Sequence, residues 1–415
     1  MTENRMRLGW FVNYLVPAWN QPWSGNAGEE WMDGQFYVDM ARSLDRANFD
    51  VMMLEDSTYV SDSYAGTFEG ELKYTVRSPK HDPIQLIPML AEATRQLGFV
   101  ATMSSSFYPP YLLARLLSTL DHITEGRVGW NVVTSAGRLP AQNYSMADLP
   151  PHDQRYEIAA ELIEVVEKLW RTRGPINHHG TYYDVPGALN TLPPLQSRPV
   201  ISQAGGSPTG RDFAARTADM IVSSTVGIDD MRAYREEIRQ RAAHHGRNPD
   251  DVRILFMIAP FLAETQALAD RHRDERLAVS DTRAQRQLVM MSDDIDWAQF
   301  SLDEPLPDVS TNGSQSVLDQ FRKWAGGRTL REAAASMEVE SVPLAGTPET
   351  VADRMQHVFE EVGGDGFLFF GGGGGMLTRH YVEQVCEGLV PELQRRGLVR
   401  TQQPAGLFNS RLMAS

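Results

Sequence analysis

Eight short apolar runs, mostly β-branched or aromatic, recur along the chain: Leu8–Asn13, Val51–Glu55, Gly98–Ser105, Arg127–Val133, Pro199–Ala204, Met220–Ser224, Arg253–Leu262 and Gly366–Phe370. They are near-continuous rather than alternating, which is the pattern of parallel strands covered on both faces. Helical stretches separate them. Thr347-Pro348-Glu349 supplies an N-cap, a proline at the first helical position and an acid in the first turn. Val351, Met355, Val358, Phe359 and Val362 then share one face. A second clear helix begins near Asp153, with Ile158, Ala159, Leu162, Ile163, Val166, Leu169 and Trp170 on its apolar side. Eight strand–helix units predict an α/β fold, the (β/α)8 TIM barrel. An open doubly wound sheet is the alternative. The number of units, a length beyond the ~250 residues of a typical barrel and the absence of a break between two halves favour the barrel.

Residues 1–400 read as a single barrel domain with insertions near 174–198 and 263–340, followed by a C-terminal tail, 401–415. Gly174–Arg198 is rich in Gly, Pro and His and reads as a long loop, with a short hairpin around Tyr182-Tyr183-Asp184-Val185. Residues 263–340 exceed what one barrel helix needs. Asp293, Asp294, Asp296, Asp303, Glu304 and Asp308 lie there with no Lys or Arg among residues 292–308. That composition predicts a solvated or mobile insertion over the mouth of the barrel.

Composition narrows the function. Lys and Arg total 39 against 54 Asp and Glu, a formal net charge of −15, which argues against a nucleic-acid binder. Cys386 is the only cysteine, so there is no internal disulfide framework. No run of about 18 apolar residues predicts a membrane span, and Met1–Gly9 lacks the apolar core of a signal peptide. A cytoplasmic protein is the expectation.

Several chemistries lack their signatures. There is no Walker-type loop, no His-Glu-x-x-His, no Cys-x-x-Cys and no Gly-x-Ser-x-Gly elbow, so no metal site is expected. Gly371–Gly375 follows a strand but meets Met376 where a dinucleotide fingerprint needs its sixth residue. The pairs His178-His179 and His244-His245 are adjacent and read as solvated surface. In a barrel the reactive groups stand at the C-terminal ends of strands. There the chain offers Asn13, Glu55 with Asp56, Thr102 with Ser104 to Ser106, Asn131 with Thr134 and Ser135, and Ser202 through Ser207. These are mostly neutral hydrogen-bonding groups, suited to a planar heteroaromatic cofactor that carries the difficult chemistry itself. His152 and Tyr156, four apart, share one face of a helix's first turn. Gln203-Ala204-Gly205-Gly206-Ser207 turns from a strand into a helix, where backbone N–H groups can cradle a phosphate. Structural readings stand beside each: a satisfied core amide for Asn131, capping and packing for His152 and Tyr156.

The run from Asp121 through Gly129-Trp130-Asn131-Val132-Val133-Thr134-Ser135, then His152-x-x-Arg155-Tyr156, then Gln203-Ala204-Gly205-x-Ser207, resembles the nitrilotriacetate monooxygenase group of the bacterial-luciferase-like flavin monooxygenases. That group includes EDTA, dibenzothiophene-sulfone and long-chain alkane monooxygenases and pristinamycin IIA synthase. The resemblance extends from about Leu8 to Arg400 and includes Gly346-Thr347-Pro348-Glu349 and Pro391–Leu398. It implies a two-component system: a separate NAD(P)H:flavin reductase makes reduced FMN, which reacts with O2 here to a C4a-(hydro)peroxyflavin that oxygenates an organic small molecule. Hydroxylation, epoxidation and Baeyer–Villiger insertion all remain open. The motif matches imply FMN contacts at Asp56, Thr102, Asn131, His152, Tyr156, Gly206 and Ser207, with the phosphate at the last two, after the fifth strand. Asn13, Glu55 and Asn131 are the catalytic candidates, and a homodimer or homotetramer is expected.

The chain departs from the group where substrate would bind. Asn13–Asn20 has no histidine, Glu55-Asp56-Ser57 replaces the usual Ala-Asp-Ser, and Thr67–His81 is unlike it. Trp10, Tyr14, Trp19, Trp23, Tyr59, Tyr64 and Phe68 suggest an aromatic mouth and an apolar or polycyclic substrate. Two other functions compete: a deazaflavin (F420)-dependent oxidoreductase on a related barrel, and a barrel that binds flavin without catalysis and only stabilises a partner.

Overall fold

The computed structural model describes residues 5–15, 32–311, 315–337, 340–371 and 377–414. Eight parallel strands close into a barrel: β1 (Arg7–Asn13), β2 (Val51–Glu55), β3 (Gly98–Ser104), β4 (Val128–Val133), β5 (Val200–Gln203), β6 (Met220–Ser223), β7 (Arg253–Ile258) and β8 (Gly366–Phe370). Pairing of β8 with β1, Gly366 opposite Arg7, completes the ring. All eight apolar runs of the sequence supply barrel strands. Most agree within a residue at each end, but the strand from Arg253 stops four residues short of its run. After Ile258 the chain meets Pro260, which has no N–H for a ladder, and Phe261–Leu262 pairs instead with Ala345–Gly346 outside the barrel.

Alternation along each strand separates two cores. Val51, Met53, Val100, Val200, Met220, Leu255 and Leu368 fill the interior. Met52, Leu54, Phe99, Ala101, Trp130, Ile201 and Ile221 face the outer helices. The interior is tight enough to require glycine. A Cβ on Gly9 would lie 2.7 Å from Leu368, and one on Gly129 would lie 2.9 Å from the Val200 carbonyl. The helix His152–Arg171 buries Ala159, Leu162, Ile163, Val166, Leu169 and Trp170. The helix Pro348–Val362 is capped by the Thr347 side chain and ends at Gly363 in the left-handed region, φ 76°.

The C-terminal tail stoppers the N-terminal end of the barrel. Its helix Phe408–Met413 sends Phe408 and Leu412 into the interior core. Arginines bind its backbone: the buried Arg7 donates from Nε to the Leu412 carbonyl (3.1 Å) and the half-buried Arg253 to that of Met413 (2.7 Å). Arg400 pairs with Asp50 at 2.9 Å, both side chains being almost wholly buried.

The two insertions differ from a plain loop reading. In the first, His178–His179 pairs antiparallel with Asp184–Val185. His178 is buried between Lys168 and Glu161, while only His179 is solvated. The Glu161 carboxylate accepts from the N–H groups of Thr181, Tyr182 and Tyr183 and so fixes the hairpin on the helix. The second insertion has its own apolar core, in which Leu288, Trp297, Leu318, Phe321 and Leu330 meet. Trp297 lies within the acidic run and is 1% exposed. The run is therefore not solvated throughout: Asp303, Glu304 and Asp308 face water, while Ile295 and Trp297 anchor the chain ahead of them. Among the described residues no helix is long and apolar enough to cross a membrane.

Candidate functional site

At the C-terminal end of the barrel a cavity of about 430 Å³ opens between the loops after β2, β3, β4 and β5. Glu55, Asp56, Thr102, Asn131, His152, Tyr156, Gly206 and Ser207 all line it. Asn13 does not. It ends β1 opposite Glu55, and its carbonyl accepts from the Tyr37 hydroxyl at 2.9 Å.

The floor is a polar belt across three strands. Register sets Thr102 beside Asn131 and Asn131 beside Ser202. Asn131 Nδ2 donates to Thr102 Oγ1 at 3.0 Å. Asn131 Oδ1 and Ser202 Oγ are buried and have no hydrogen-bond partner among the described residues. Whichever way the amide is turned, one of its two polar ends lacks a partner there. Buried polar groups are seldom left so.

One wall is the turn between β5 and the helix Pro208–Thr217. The Ser207 side chain caps that helix, accepting from the Gly210 N–H at 3.1 Å. The carbonyls of the turn are tied outward: Tyr234 donates to Gly205 O (3.1 Å) and Arg211 Nε to Gly206 O (2.9 Å). Among the described residues no acceptor meets the N–H groups of Gly206 and Ser207. Close packing requires the glycines. A Cβ on Gly205 would lie 2.6 Å from the Gly210 carbonyl, and one on Gly210 would lie 2.7 Å from the Tyr156 hydroxyl. His152 Nε2 is 3.4 Å from Ser207 Oγ, and its other ring nitrogen meets Asp153 at 2.8 Å. Backbone donors at a helix start, a hydroxyl and an imidazole together make an anion cradle.

The opposite wall is charged. Lys80 Nζ lies 2.5 Å from Glu55, 3.2 Å from Ser57 Oγ and 3.7 Å from Asp56. Burial lifts the Asp56 carboxyl, Lys80 opposes the lift and Glu55 adds to it, and the balance stands at about 6. Arg77 bridges Glu71 (2.9 Å) and Asp293 (3.2 Å) and stacks 5.1 Å from the Tyr59 ring. Tyr59 itself donates to Asp293 at 2.9 Å. The loop after β2 is thus fastened to the second insertion, so the start of the acidic run is anchored at the mouth.

The aromatic lining differs from expectation. Trp10 is wholly buried among Phe49, Phe369 and Tyr381, and Tyr14 packs on Tyr37. Tyr64 packs on the core of the second insertion, and Phe68 is exposed. Of the aromatics that the sequence placed at the mouth only Tyr59 lines the cavity; Trp19 and Trp23 lie outside the described residues. Phe11, Phe107, Tyr108 and Tyr144 line it instead, with Phe107 stacked on Tyr144 at 4.2 Å. Phe107 and Tyr108 directly follow β3, so the strand-end rule reaches them. Lys80 and Arg77 lie on an aperiodic loop and carry no such signal.

The family profile described as luciferase-like monooxygenase matches residues 6–366. The chain is 35% identical to one of the subunits of pristinamycin IIA synthase from Streptomyces pristinaespiralis, over 93% of this chain and 90% of that protein. It is 32% identical to dimethyl-sulfide monooxygenase of Hyphomicrobium sulfonivorans, over 96% and 87%. A solved riboflavin lyase, holding modified FMN and riboflavin, superposes with a TM-score of 0.88 at 25% identity, over 99% of this chain and 96% of that one.

Proposed function

The chain belongs to the luciferase-like monooxygenase family, and from that premise we propose that it is the oxygenase of a two-component system. Reduced FMN from a separate flavin reductase, together with O2, serves to add one oxygen atom to an apolar or polycyclic organic molecule. The observation that carries this is the buried Asn131 amide in the cavity lining, one end of which has no partner among the described residues and would be satisfied by a polar cofactor edge. A flavin edge holds both donors and acceptors, so it suits either orientation of that amide.

The side chains divide the work. The N–H groups of Gly206 and Ser207 take the phosphate, with His152 and Tyr156 beside them. Ser207 Oγ accepts from Gly210, so its own hydrogen is available to donate. Thr102 and Asn131 would orient the ring, and Asp56, beside Glu55, would hold or release a proton next to it. Phe11, Phe107, Tyr108 and Tyr144 keep water from the reacting face and offer an apolar surface to substrate. Bound reduced FMN supplies the two electrons that let O2 divide between product and water. Asn13 has no part in this proposal.

The test is a substrate screen with a generic flavin reductase, FMN, NADH and labelled O2, read by mass spectrometry. A gain of one labelled atom supports the reading. Turnover with a reduced deazaflavin without oxygen, and none with reduced FMN and air, overturns it. Asn131→Leu keeps the branched shape and removes the amide's donor and acceptor, including the bond to Thr102. Losing a bond of about 1–2 kcal/mol predicts roughly 5- to 30-fold less product per NADH, with hydrogen peroxide rising correspondingly. Unchanged coupling in the folded variant would make Asn131 structural.

A further inference from the structure

Two cations stand on the loop after β2, and each faces two carboxylates: Arg77, itself in the cavity lining, with Glu71 and Asp293, and Lys80 with the lining acids Glu55 and Asp56. The second cluster stands at the strand end where the cofactor edge is proposed. Its cation is held firmly. Lys80 bridges to Leu15 across an isolated antiparallel pair, and the next residue, His81, donates its N–H to the Tyr14 carbonyl at 2.9 Å. The Lys80 side chain is 5% exposed. One ammonium and two carboxylates with little water between them carry a net negative charge unless one proton is retained. The two acids are not equivalent. Glu55 lies 2.5 Å from the ammonium and is 25% exposed; Asp56 lies 3.7 Å away and is 14% exposed. The retained proton therefore belongs on Asp56. Asp82 and Tyr108 also face Asp56, and Asp82 adds to the pressure against its ionisation.

We infer that Lys80 is a positioning residue that sets the charge state of Asp56: its ammonium is taken up at short range by Glu55, and Asp56, farther away, keeps an exchangeable proton at the cavity. Lys80 touches neither cofactor nor substrate in this arrangement. It acts through the two acids, and it comes from the Thr67–His81 stretch in which this chain departs from the group it resembles. The catalytic meaning rests on the flavin reading above, but the charge state does not.

The first readout therefore uses the protein without flavin. Infrared titration should show a protonated carboxyl C=O band, absent from Asp56→Asn, that disappears as pH rises through about 6. Removing the cation disfavours the carboxylate, so in Lys80→Met the band should persist about 1–3 pH units higher. Lys80→Arg should bring it back toward the parent. If Lys80→Met fails to fold, Lys80→Gln keeps a donor for Glu55 without the charge and answers the same question. A band that titrates alike in the parent and in the neutral variants overturns the inference. So does a titrating band that survives in Asp56→Asn. The second readout is the pH profile of product formed per NADH, which should move in the same direction as the band. A moving band with an unmoved profile overturns the cluster's part in catalysis while leaving the flavin reading to its own test.

Discussion

Gly205→Ala is expected to weaken FMN binding about 100-fold in a protein that still folds. The added methyl would sit 2.6 Å from both the Gly210 carbonyl and Gln203 Oε1. The Gly210 carbonyl is backbone and cannot turn aside, so the turn must open. Opening it shifts the Gly206 and Ser207 N–H groups from the phosphate. Each such bond to a charged group contributes about 1.5–3 kcal/mol, so losing part of both gives roughly two orders of magnitude. Fluorescence titration of FMN, with circular dichroism to confirm folding, reads the result. A folded variant that binds FMN like the parent would move the phosphate away from this turn.

Asp50→Ala should cost about 3–5 kcal/mol of stability, because it removes the acid from a buried pair and leaves the cation. Asp50 Oδ1 accepts from Arg400, and Oδ2 accepts from the Leu8 N–H at 2.9 Å. Arg7 and Arg411 lie near enough for the same acid to favour their charged forms; burial, the larger effect, already brings both down to about 10. Without Asp50 the guanidinium groups of Arg7, Arg400 and Arg411 lose the acid they share. Urea unfolding should show the midpoint falling sharply. A change of less than 1 kcal/mol would mean that water or Asp365 compensates. Asp50→Asn, which keeps an acceptor for Leu8, should recover part of the loss.

The barrel was legible because its strands are buried on both faces. Continuous apolar runs such as Val51–Leu54 and Gly366–Phe370 have little else to become. The wall that could hold a phosphate was legible for a related reason: Gly205-Gly206-Ser207-Pro208 is a local motif, with strand, turn and helix start inside a dozen residues. The floor was half legible. Asn131 stood out as an amide in an apolar strand, but its register with Ser202 is a property of two strands far apart in sequence. In the charged wall the acids Glu55 and Asp56 were legible at the end of their strand, and the cations were not. Lys80 reaches Glu55 through a loop of 25 residues, and its sequence says only that it is polar. Trp10 misled because aromatic residues near a strand end look alike whether they face the cavity or the helices, and its position in β1 sends it outward into Phe49 and Phe369. The acidic run misled because charge was averaged over a segment, while a few residues in it, Ile295 and Trp297, decide where that segment packs.

Closure of the ring couples the first strand to the last, and the stopper beneath it comes later still. β1 cannot pair with β8 until Gly366–Phe370 has been made, and the interior stays open below until Phe408 and Leu412 arrive. At about 5–20 residues per second, translation leaves β1 without its second neighbour for roughly 20–80 s. Throughout that time the growing chain presents an unpaired, apolar strand edge, the kind that adds to other chains. A holding chaperone on the ribosome would cover that edge until the ring closes. The yield in a cell should then respond to translation speed across the codons for Gly366–Leu412.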